Sequence, residues 1–237
     1  MMLFVIATLS AYFIKGLCGF GNTPVFNSIT ALNYDNKNIS PIELLVGLPA
    51  NVVISIRGRK RINYSMCLKL VVFIFIGAAL GTYMLSSINP RIIKVLCGVV
   101  IIFVAIRLSV NEDVKLFENR LFVVLTSLFS GLICGLYGIG VFMVPYVRNK
   151  SLTNEEFKSN MGFISMFDNL LRVFLYVTSG ILTLSAIKTA CILIPFSIVS
   201  LYFGFYVSRF VNEKLAKQLA MLLLVITGIV LIVNNIG

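Results

Sequence analysis

A glycine-rich sequence that occurs twice carries the most visible chemistry of this chain. Residues 16–21 read Gly-Leu-Cys-Gly-Phe-Gly, and residues 135–140 read Gly-Leu-Tyr-Gly-Ile-Gly. Each copy lies within a long apolar stretch and is followed by a proline, Pro24 or Pro145. Because glycine tolerates positive φ and proline favours the start of a helix, each copy predicts an interrupted helix. Where two such breaks meet, backbone N–H groups and half-helix N-termini would form an anion site. We place four glycines at this site: Gly19, Gly21, Gly138 and Gly140.

Two cations lie within or beside the apolar stretches. Lys15 abuts the first glycine motif, and Arg172 lies within residues 163–177. A charge at the centre of a bilayer costs about 2.5–3.5 kcal/mol on insertion scales, so we expect these residues to face a cavity. The planar guanidinium of Arg172 suits a sulfonate or a carboxylate, which predicts an anion contact. Lys15 either joins that contact or extends its ammonium group to a membrane interface.

Acidic residues are rarer in the apolar stretches. Asp168 precedes Arg172 by four residues, which places both side chains on one face of a helix. The two either neutralise each other, or Asp168 is a proton carrier that couples transport to a gradient. Glu43 is predicted to begin the second apolar segment, where an acid suits a helix N-terminus.

Neutral hydrogen-bonding groups complete the candidate site. Asn51 and Asn169 occupy matching places in the two halves of the chain, and Asn22 follows the first glycine motif. We predict that all three asparagines line the site, although each could equally hold helices together. The glycines have a similar alternative. The patterns Gly77-x3-Gly81 and Gly131-x3-Gly135 are typical of close helix packing, which needs no ligand.

The solvent of this chain must be lipid. Of its 237 residues, 59% are hydrophobic and 12% are charged, and the mean hydropathy is +0.99. A soluble domain of this length could not bury so much apolar surface. The chain has a net charge of +11, and its basic residues lie in short loops between apolar segments, as the positive-inside rule predicts. We therefore expect no nucleic acid partner. The chain has no histidine, and its five cysteines form no CxxC pair. We therefore expect no metal, no cofactor and no enzymatic activity.

The two halves of the chain match in the order of their apolar segments. Gly81, Asn89 and Lys94 recur with the same spacing as Gly204, Asn212 and Lys217. The first and fifth segments contain the glycine motifs and exceed the ~20 residues that a spanning helix needs. We predict an all-α polytopic membrane protein of two repeats, 1–110 and 118–237, which together form one transport domain. The eight segments are 2–32, 41–56, 66–87, 92–109, 120–147, 160–179, 184–207 and 215–236.

The basic residues favour inverted repeats over parallel ones. If each broken segment turns back at its glycines, each half crosses the membrane three times, and all four basic clusters lie on one face. If each half crosses four times, the clusters are divided between both faces. The first arrangement obeys the positive-inside rule better, with the clusters in the cytoplasm and both termini outside. The clusters are Arg57/Arg59/Lys60/Arg61, Arg107/Lys115/Arg120, Arg148/Lys150/Lys158 and Arg209/Lys214/Lys217.

The two glycine motifs resemble the signatures of a known family of membrane permeases, the sulfite exporter TauE/SafE family (TSUP). Residues 15–21, Lys-Gly-Leu-Cys-Gly-Phe-Gly, look like its N-terminal G-x-x-G-F-G signature, and residues 130–145 look like its second-repeat signature. The resemblance spans nearly the whole chain. It implies transport of sulfite, sulfonates or related anions across a prokaryotic plasma membrane. The first signature often has a threonine or small residue where Cys18 stands, and the second often continues Gly-Gly-Pro where this chain has Gly-Val-Phe.

We therefore expect a permease that moves a small anion by alternating access, driven by an ion or proton gradient. Its partners would be the anionic solute and the lipid bilayer, and a homo-oligomer is possible. An ion channel, a membrane-embedded enzyme and an assembly factor are the alternatives. The absence of histidine and of an acidic cluster argues against the enzyme.

Overall fold

The computed structural model describes residues 1–30, 34, 36–85, 120–137, 140 and 143–211, with isolated residues between 95 and 106 and between 218 and 233. Within these residues the chain is all-α and has no strand, as predicted. Most of segments 92–109 and 215–236 lies outside them, as do Gly138, Asn89, Lys94, Asn212 and Lys217. The helices are α1 (Met2–Cys18), α2 (Asn22–Thr30), α3 (Asn36–Gly58), α4 (Tyr64–Leu85), α5 (Arg120–Tyr137), α6 (Val144–Asn149), α7 (Asn154–Thr178) and α8 (Leu184–Val207), with a 3-10 turn at Arg59–Arg61.

Four of the described helices, α3, α4, α7 and α8, are long and apolar enough to cross a membrane. Helices α1 and α5 are shorter apolar helices. Many large apolar side chains remain exposed on the outer faces, among them Leu80 on α4, Phe174 on α7 and Val199 on α8. Because such faces are stable only against lipid, the chain is a multi-pass membrane protein.

Both glycine motifs interrupt a helix, as the sequence predicts. Helix α1 ends at Cys18, and Gly19 follows with a φ of 87° and donates its N–H to the Lys15 carbonyl at 2.7 Å. Gly21 also has a positive φ, 88°, and α2 begins at the next residue. In the second motif α5 ends at Tyr137 and α6 begins at Val144 with Pro145 in its first turn. Each broken segment is therefore a longer helix followed by a short one.

Two helices begin earlier than their apolar segments indicate. Helix α3 begins at Asn36 rather than near residue 41, so Glu43 lies two turns into the helix. The prediction that Glu43 begins the segment is wrong, because the polar first turn of the helix was not counted with it. Helix α7 begins at Asn154, where the Thr153 side chain accepts a hydrogen bond from the Glu156 N–H. Such an N-cap starts a helix in polar sequence before the apolar part enters the membrane.

The buried apolar residues form two main clusters, and each cluster combines helices from both halves of the chain. One contains residues of α1, α2 and α3 together with α8. The other contains residues of α5, α6 and α7 together with α4. The last described helix of each half thus packs against the opening helices of the other half. Helices α3 and α7 pack against each other between the clusters.

Glycines at matching positions allow α8 to pack closely against α1 and α4 to pack closely against α5. A Cβ atom on Gly16 would lie 2.9 Å from the Cα of Gly204, so α1 and α8 touch backbone to backbone. A Cβ atom on Gly81 would lie 3.2 Å from the Cα of Gly135, so α4 and α5 are equally close. The close-packing alternative is confirmed for Gly77, Gly81, Gly131 and Gly135, which all lie in this contact. The division into repeats at 1–110 and 118–237 stays a prediction.

Candidate functional site

A cavity of about 60 Å³ lies where the two broken segments approach α3 and α7. The first residues of α2 and of α6 both line it, as expected of half-helices that meet. Further polar side chains in its wall are Thr23, Ser130, Cys134 and Ser165. Eight of the ten residues that the sequence places at the site line this cavity: Lys15, Gly21, Asn22, Asn51, Gly140, Asp168, Asn169 and Arg172.

The other two predicted glycines do not line the described cavity wall. Gly138 lies outside the described residues. Gly19 packs against Lys158 instead, and a Cβ atom on it would lie 2.7 Å from the Lys158 Cγ. The Lys158 ammonium group donates to the Gly16 carbonyl at 3.1 Å, near the C-terminal end of α1. Gly19 therefore shapes the break and lets α7 cover it, rather than offering its backbone to a ligand in the cavity.

Arg172 and Asp168 form a buried ion pair on one face of α7. The Arg172 Nε donates to the Asp168 Oδ2 at 3.0 Å, and the Cys134 thiol of α5 donates to the same oxygen at 3.0 Å. The Arg172 Nη2 donates to the Asn169 side-chain oxygen at 3.1 Å, and the Asn169 Nδ2 donates to the Leu44 carbonyl at 3.4 Å. These bonds hold the guanidinium in one orientation and fasten α7 to α3 and α5.

Several residues that line the cavity have buried polar atoms without a hydrogen-bond partner among the described residues. These atoms include the Arg172 Nη1, which belongs to a side chain that is only 1% exposed. The Tyr176 hydroxyl has no hydrogen-bond partner of regular geometry among the described residues, but it lies close enough to this guanidinium to interact with it. The Ser130 hydroxyl, the Asn51 Oδ1 and the Asp168 Oδ1 are unpartnered as well. A buried donor without an acceptor costs about 1–3 kcal/mol, and more when it is charged, so the wall is built to contact something polar.

A second polar chain joins α1, α2 and α3 beside the cavity. The Lys15 ammonium donates to the Asn22 Oδ1 at 3.0 Å, and the Asn22 Nδ2 donates to the Glu43 Oε1 at 2.6 Å. The Thr23 hydroxyl donates to the same oxygen at 2.8 Å. Lys15 is therefore buried at the site and does not extend to an interface. Glu43 stands one layer behind the wall, separated from the cavity by Asn22 and Thr23.

The sequence reasoning named Glu43 but placed neither Glu43 nor Cys134 at the site. The sequence does contain a signal for Glu43. A lysine buried in an apolar stretch needs a counter-charge, and Glu43 is one of the few acids in such stretches. Cys134 belongs to no CxxC pair, so the cysteine pattern does not indicate a role for it. Its place immediately before Gly135 matches that of Lys15 before Gly16, which marks it as a site position. The two halves thus present different groups at equivalent positions.

A second pocket, of about 50 Å³, lies where α3 and α8 end and α7 begins. Arg61 pairs with Glu155 there, and the Arg57 guanidinium lies 4.7 Å from the centre of the Phe205 ring. Lys158 and Arg209 also line the pocket. Members of the first, third and fourth basic clusters therefore meet at one place. The remaining cluster, Arg107/Lys115/Arg120, has no described side chains.

Comparison with known proteins gives one match. The model of the family described as sulfite exporter TauE/SafE matches residues 3–231, which is nearly the whole chain. No curated protein and no solved structure matches the chain. With broken membrane helices around a buried arginine and this match, the chain belongs to the sulfite exporter TauE/SafE family of membrane transporters.

Proposed function

We propose that this protein moves a small anion of the sulfite or sulfonate class across a prokaryotic plasma membrane by alternating access. The observation that carries the proposal is the guanidinium of Arg172, a residue that lines the cavity and whose buried Nη1 has no acceptor among the described residues. Its Nε and Nη2 are held by Asp168 and Asn169, so the third nitrogen is fixed in place. An anionic oxygen is the strongest acceptor that a guanidinium can bind.

The other groups of the wall suit an anion with several oxygens. Ser130 has an unpartnered hydroxyl, and Lys15 places a second cation beside the cavity. Asn22, Asn51 and Asn169, with the backbone at Gly21 and Gly140, complete the proposed pocket. A cavity of about 60 Å³ has room for a small solute such as sulfite or a short sulfonate. The asymmetric polar groups would orient such a solute.

We further propose that the two repeats are inverted. The exchange of α4 and α8 between the two apolar clusters, through matching glycine contacts, supports a two-fold relation between the repeats, and the basic residues favour the inverted form of it. The meeting of Arg57 and Arg61 with Lys158 and Arg209 supports a common face for their clusters, as the three-crossing arrangement requires. Inverted repeats allow one repeat to rock against the other around a fixed site.

The experiment is transport by the purified protein in proteoliposomes, with labelled sulfite and labelled methanesulfonate as probes. Arg172→Gln removes a charge-assisted hydrogen bond worth about 1.5–3 kcal/mol, so we expect anion binding to weaken about 10- to 100-fold. Arg172→Lys keeps the charge but not the planar fork, and we expect an intermediate loss. Arg59→Gln is the matched control, because Arg59 is exposed in the 3-10 turn.

Thermal unfolding of each variant, with and without the anion, separates loss of binding from loss of the fold. If folded Arg172→Gln and Arg172→Lys proteins carry both anions at the wild-type rate, Arg172 is not the anion-binding group. If the wild type carries neither anion, the proposed substrate class is wrong. Single-channel currents far above carrier turnover would replace alternating access with a channel mechanism.

A further inference from the structure

The buried charges of the described residues sum to zero. Lys15 and Arg172 are the buried cations, and Glu43 and Asp168 are the buried acids. The inference that follows rests on the proposed function. A monovalent anion that enters this neutral set leaves one negative charge uncompensated in a medium of low dielectric, which is unfavourable. A positive charge must therefore accompany the anion, and a proton on one of the two acids is the smallest that can.

The two acids differ in the groups that stabilise their negative charge. Asp168 is in direct contact with a cation, because its Oδ2 accepts from the Arg172 Nε at 3.0 Å. The Glu43 Oε1 accepts only from neutral donors, the Asn22 amide and the Thr23 hydroxyl. Adding a proton to Asp168 would weaken the bond that orients the proposed anion-binding group. Adding a proton to Glu43 breaks no direct ion pair, so Glu43 is the acid that can change charge.

Among the described residues, no second acid is in direct contact with Glu43. From α1 it faces Tyr12, whose hydroxyl donates to the Glu43 carbonyl at 3.4 Å, and Lys15. From α2 it faces Asn22 and Thr23. Arg172 of α7 acts on it electrostatically at least as strongly as Lys15, Cys134 of α5 also interacts with it, and Asp168 is the ion-pair partner of Arg172. The nearest charges are thus the two cations. A proton on Glu43 would leave the buried site with one net positive charge.

Asn22 links Glu43 to the cavity. Its Oδ1 accepts from Lys15, and its Nδ2 donates to Glu43, so the amide is oriented at both ends. This orientation suits an ionised carboxylate, whose oxygens only accept hydrogen bonds. A proton placed on Oε1 itself would meet the N–H donor of the amide. Lys15 and Asn22 line the cavity, so a change in this amide reaches the solute.

We propose that Glu43 takes up the proton that accompanies each transported anion, and that Asn22 transmits this change to Lys15. The proton comes from water on the side to which the cavity is open and forms an O–H bond with the carboxylate. The Asn22 amide then turns its oxygen towards this O–H and away from Lys15. The ammonium group gains a free N–H for the anion beside it. On the opposite side the anion leaves, the O–H bond breaks, and the proton returns to water.

The test uses proteoliposomes, labelled methanesulfonate and an internal pH indicator. Methanesulfonate stays a monoanion across the pH range used, so any proton that moves with it is carried separately by the protein. If one proton accompanies each anion, a gradient of about one pH unit supports about tenfold accumulation. We expect this accumulation in the wild type, together with a change of internal pH in proportion to uptake.

Glu43→Gln keeps the shape of the side chain but cannot carry a proton. We expect its accumulation to be independent of the pH gradient, while exchange of internal for external methanesulfonate at equal pH persists. Asp168→Asn is the matched acid control, and we expect slower transport that still depends on the gradient. Glu43→Asp retains a protonatable group and should restore part of the gradient dependence. Thermal unfolding establishes that each variant is folded.

The outcomes separate the two proposals. Gradient dependence that survives in Glu43→Gln and is lost in Asp168→Asn would assign the proton to Asp168 and overturn our inference. Methanesulfonate uptake by the wild type without proton movement would overturn the inference and leave the proposed function standing. A wild type that neither takes up nor exchanges methanesulfonate or sulfite would overturn the proposed function itself.

Discussion

Two side chains donate hydrogen bonds to one carboxylate oxygen of Asp168, a residue that lines the cavity. The Asp168 Oδ2 accepts from the Arg172 guanidinium and from the Cys134 thiol, and all three side chains are buried. Breaking a buried ion pair by removal of one partner leaves the other charge uncompensated. The ion pair therefore stabilises the fold only as long as both partners remain.

This dependence gives a prediction at the scale of single residues. Asp168→Ala leaves the guanidinium without its counter-ion, and we expect the free energy of unfolding to fall by about 3–5 kcal/mol. The double variant Asp168→Ala, Arg172→Met removes both charges and should recover most of that loss, yet carry no anion. Thermal unfolding in detergent and uptake in proteoliposomes measure the two effects. Equal stability of the single and double variants would show that the pair does not act as a unit.

Sequence reasoning succeeds for residues whose role depends on local spacing. The four-residue interval between Asp168 and Arg172 predicts their pairing, because helical neighbours at that spacing share a face. It fails for Glu43, whose partners Asn22 and Thr23 are about 20 residues away in sequence and on another helix. A hydrogen bond between elements depends on packing that no local pattern records.

At the scale of elements, the sequence predicts where glycine breaks a helix, but it does not predict which helix a glycine packs against. The break after α1 follows from Gly19 and Gly21, because both adopt the positive φ that other residues avoid. The close approach of Gly16 to Gly204 joins helices from opposite ends of the chain. The sequence shows both glycines, and even their counterparts Gly135 and Gly81, but not that each helix packs against the other half.

Because these contacts are backbone to backbone, a methyl group added to one of the glycines would overlap backbone atoms of the neighbouring helix. In Gly204→Ala the new Cβ would lie 2.9 Å from the Cα of Gly16, and overpacking of this kind costs about 1–3 kcal/mol. We expect Gly204→Ala and its counterpart Gly81→Ala both to lower the melting temperature in detergent. Val199→Ala, on the exposed face of α8, is the control and should change it little. Unchanged stability in both glycine variants would mean that these helices are free to separate.

At the scale of the whole molecule, the two apolar clusters enclose the site between them. Each cluster takes one helix from the other half, so neither half can form its buried core alone. The site lies at the junction, where α3 of the first half meets α7 of the second. In an inverted-repeat transporter this is the place that both sides of the membrane must reach in turn.

The sidedness of the loops tests this arrangement directly. The proposed inverted repeats put Lys60, in the 3-10 turn, on the same face as Lys150, after α6, because their clusters meet at the basic pocket. Ser179, at the far end of α7, would lie on the opposite face. All three side chains are exposed, so single cysteines can be introduced there in a background without the five native cysteines.

We expect a membrane-impermeant maleimide to label Ser179→Cys in intact cells. Lys60→Cys and Lys150→Cys should react only after permeabilisation, because basic clusters remain in the cytoplasm. Uptake by each variant shows that the labelled protein is native. Parallel repeats predict instead that Lys60→Cys and Lys150→Cys are labelled from opposite sides. That result would separate the basic clusters across the membrane, and the rocking of one repeat against the other around Arg172 would lose its structural basis.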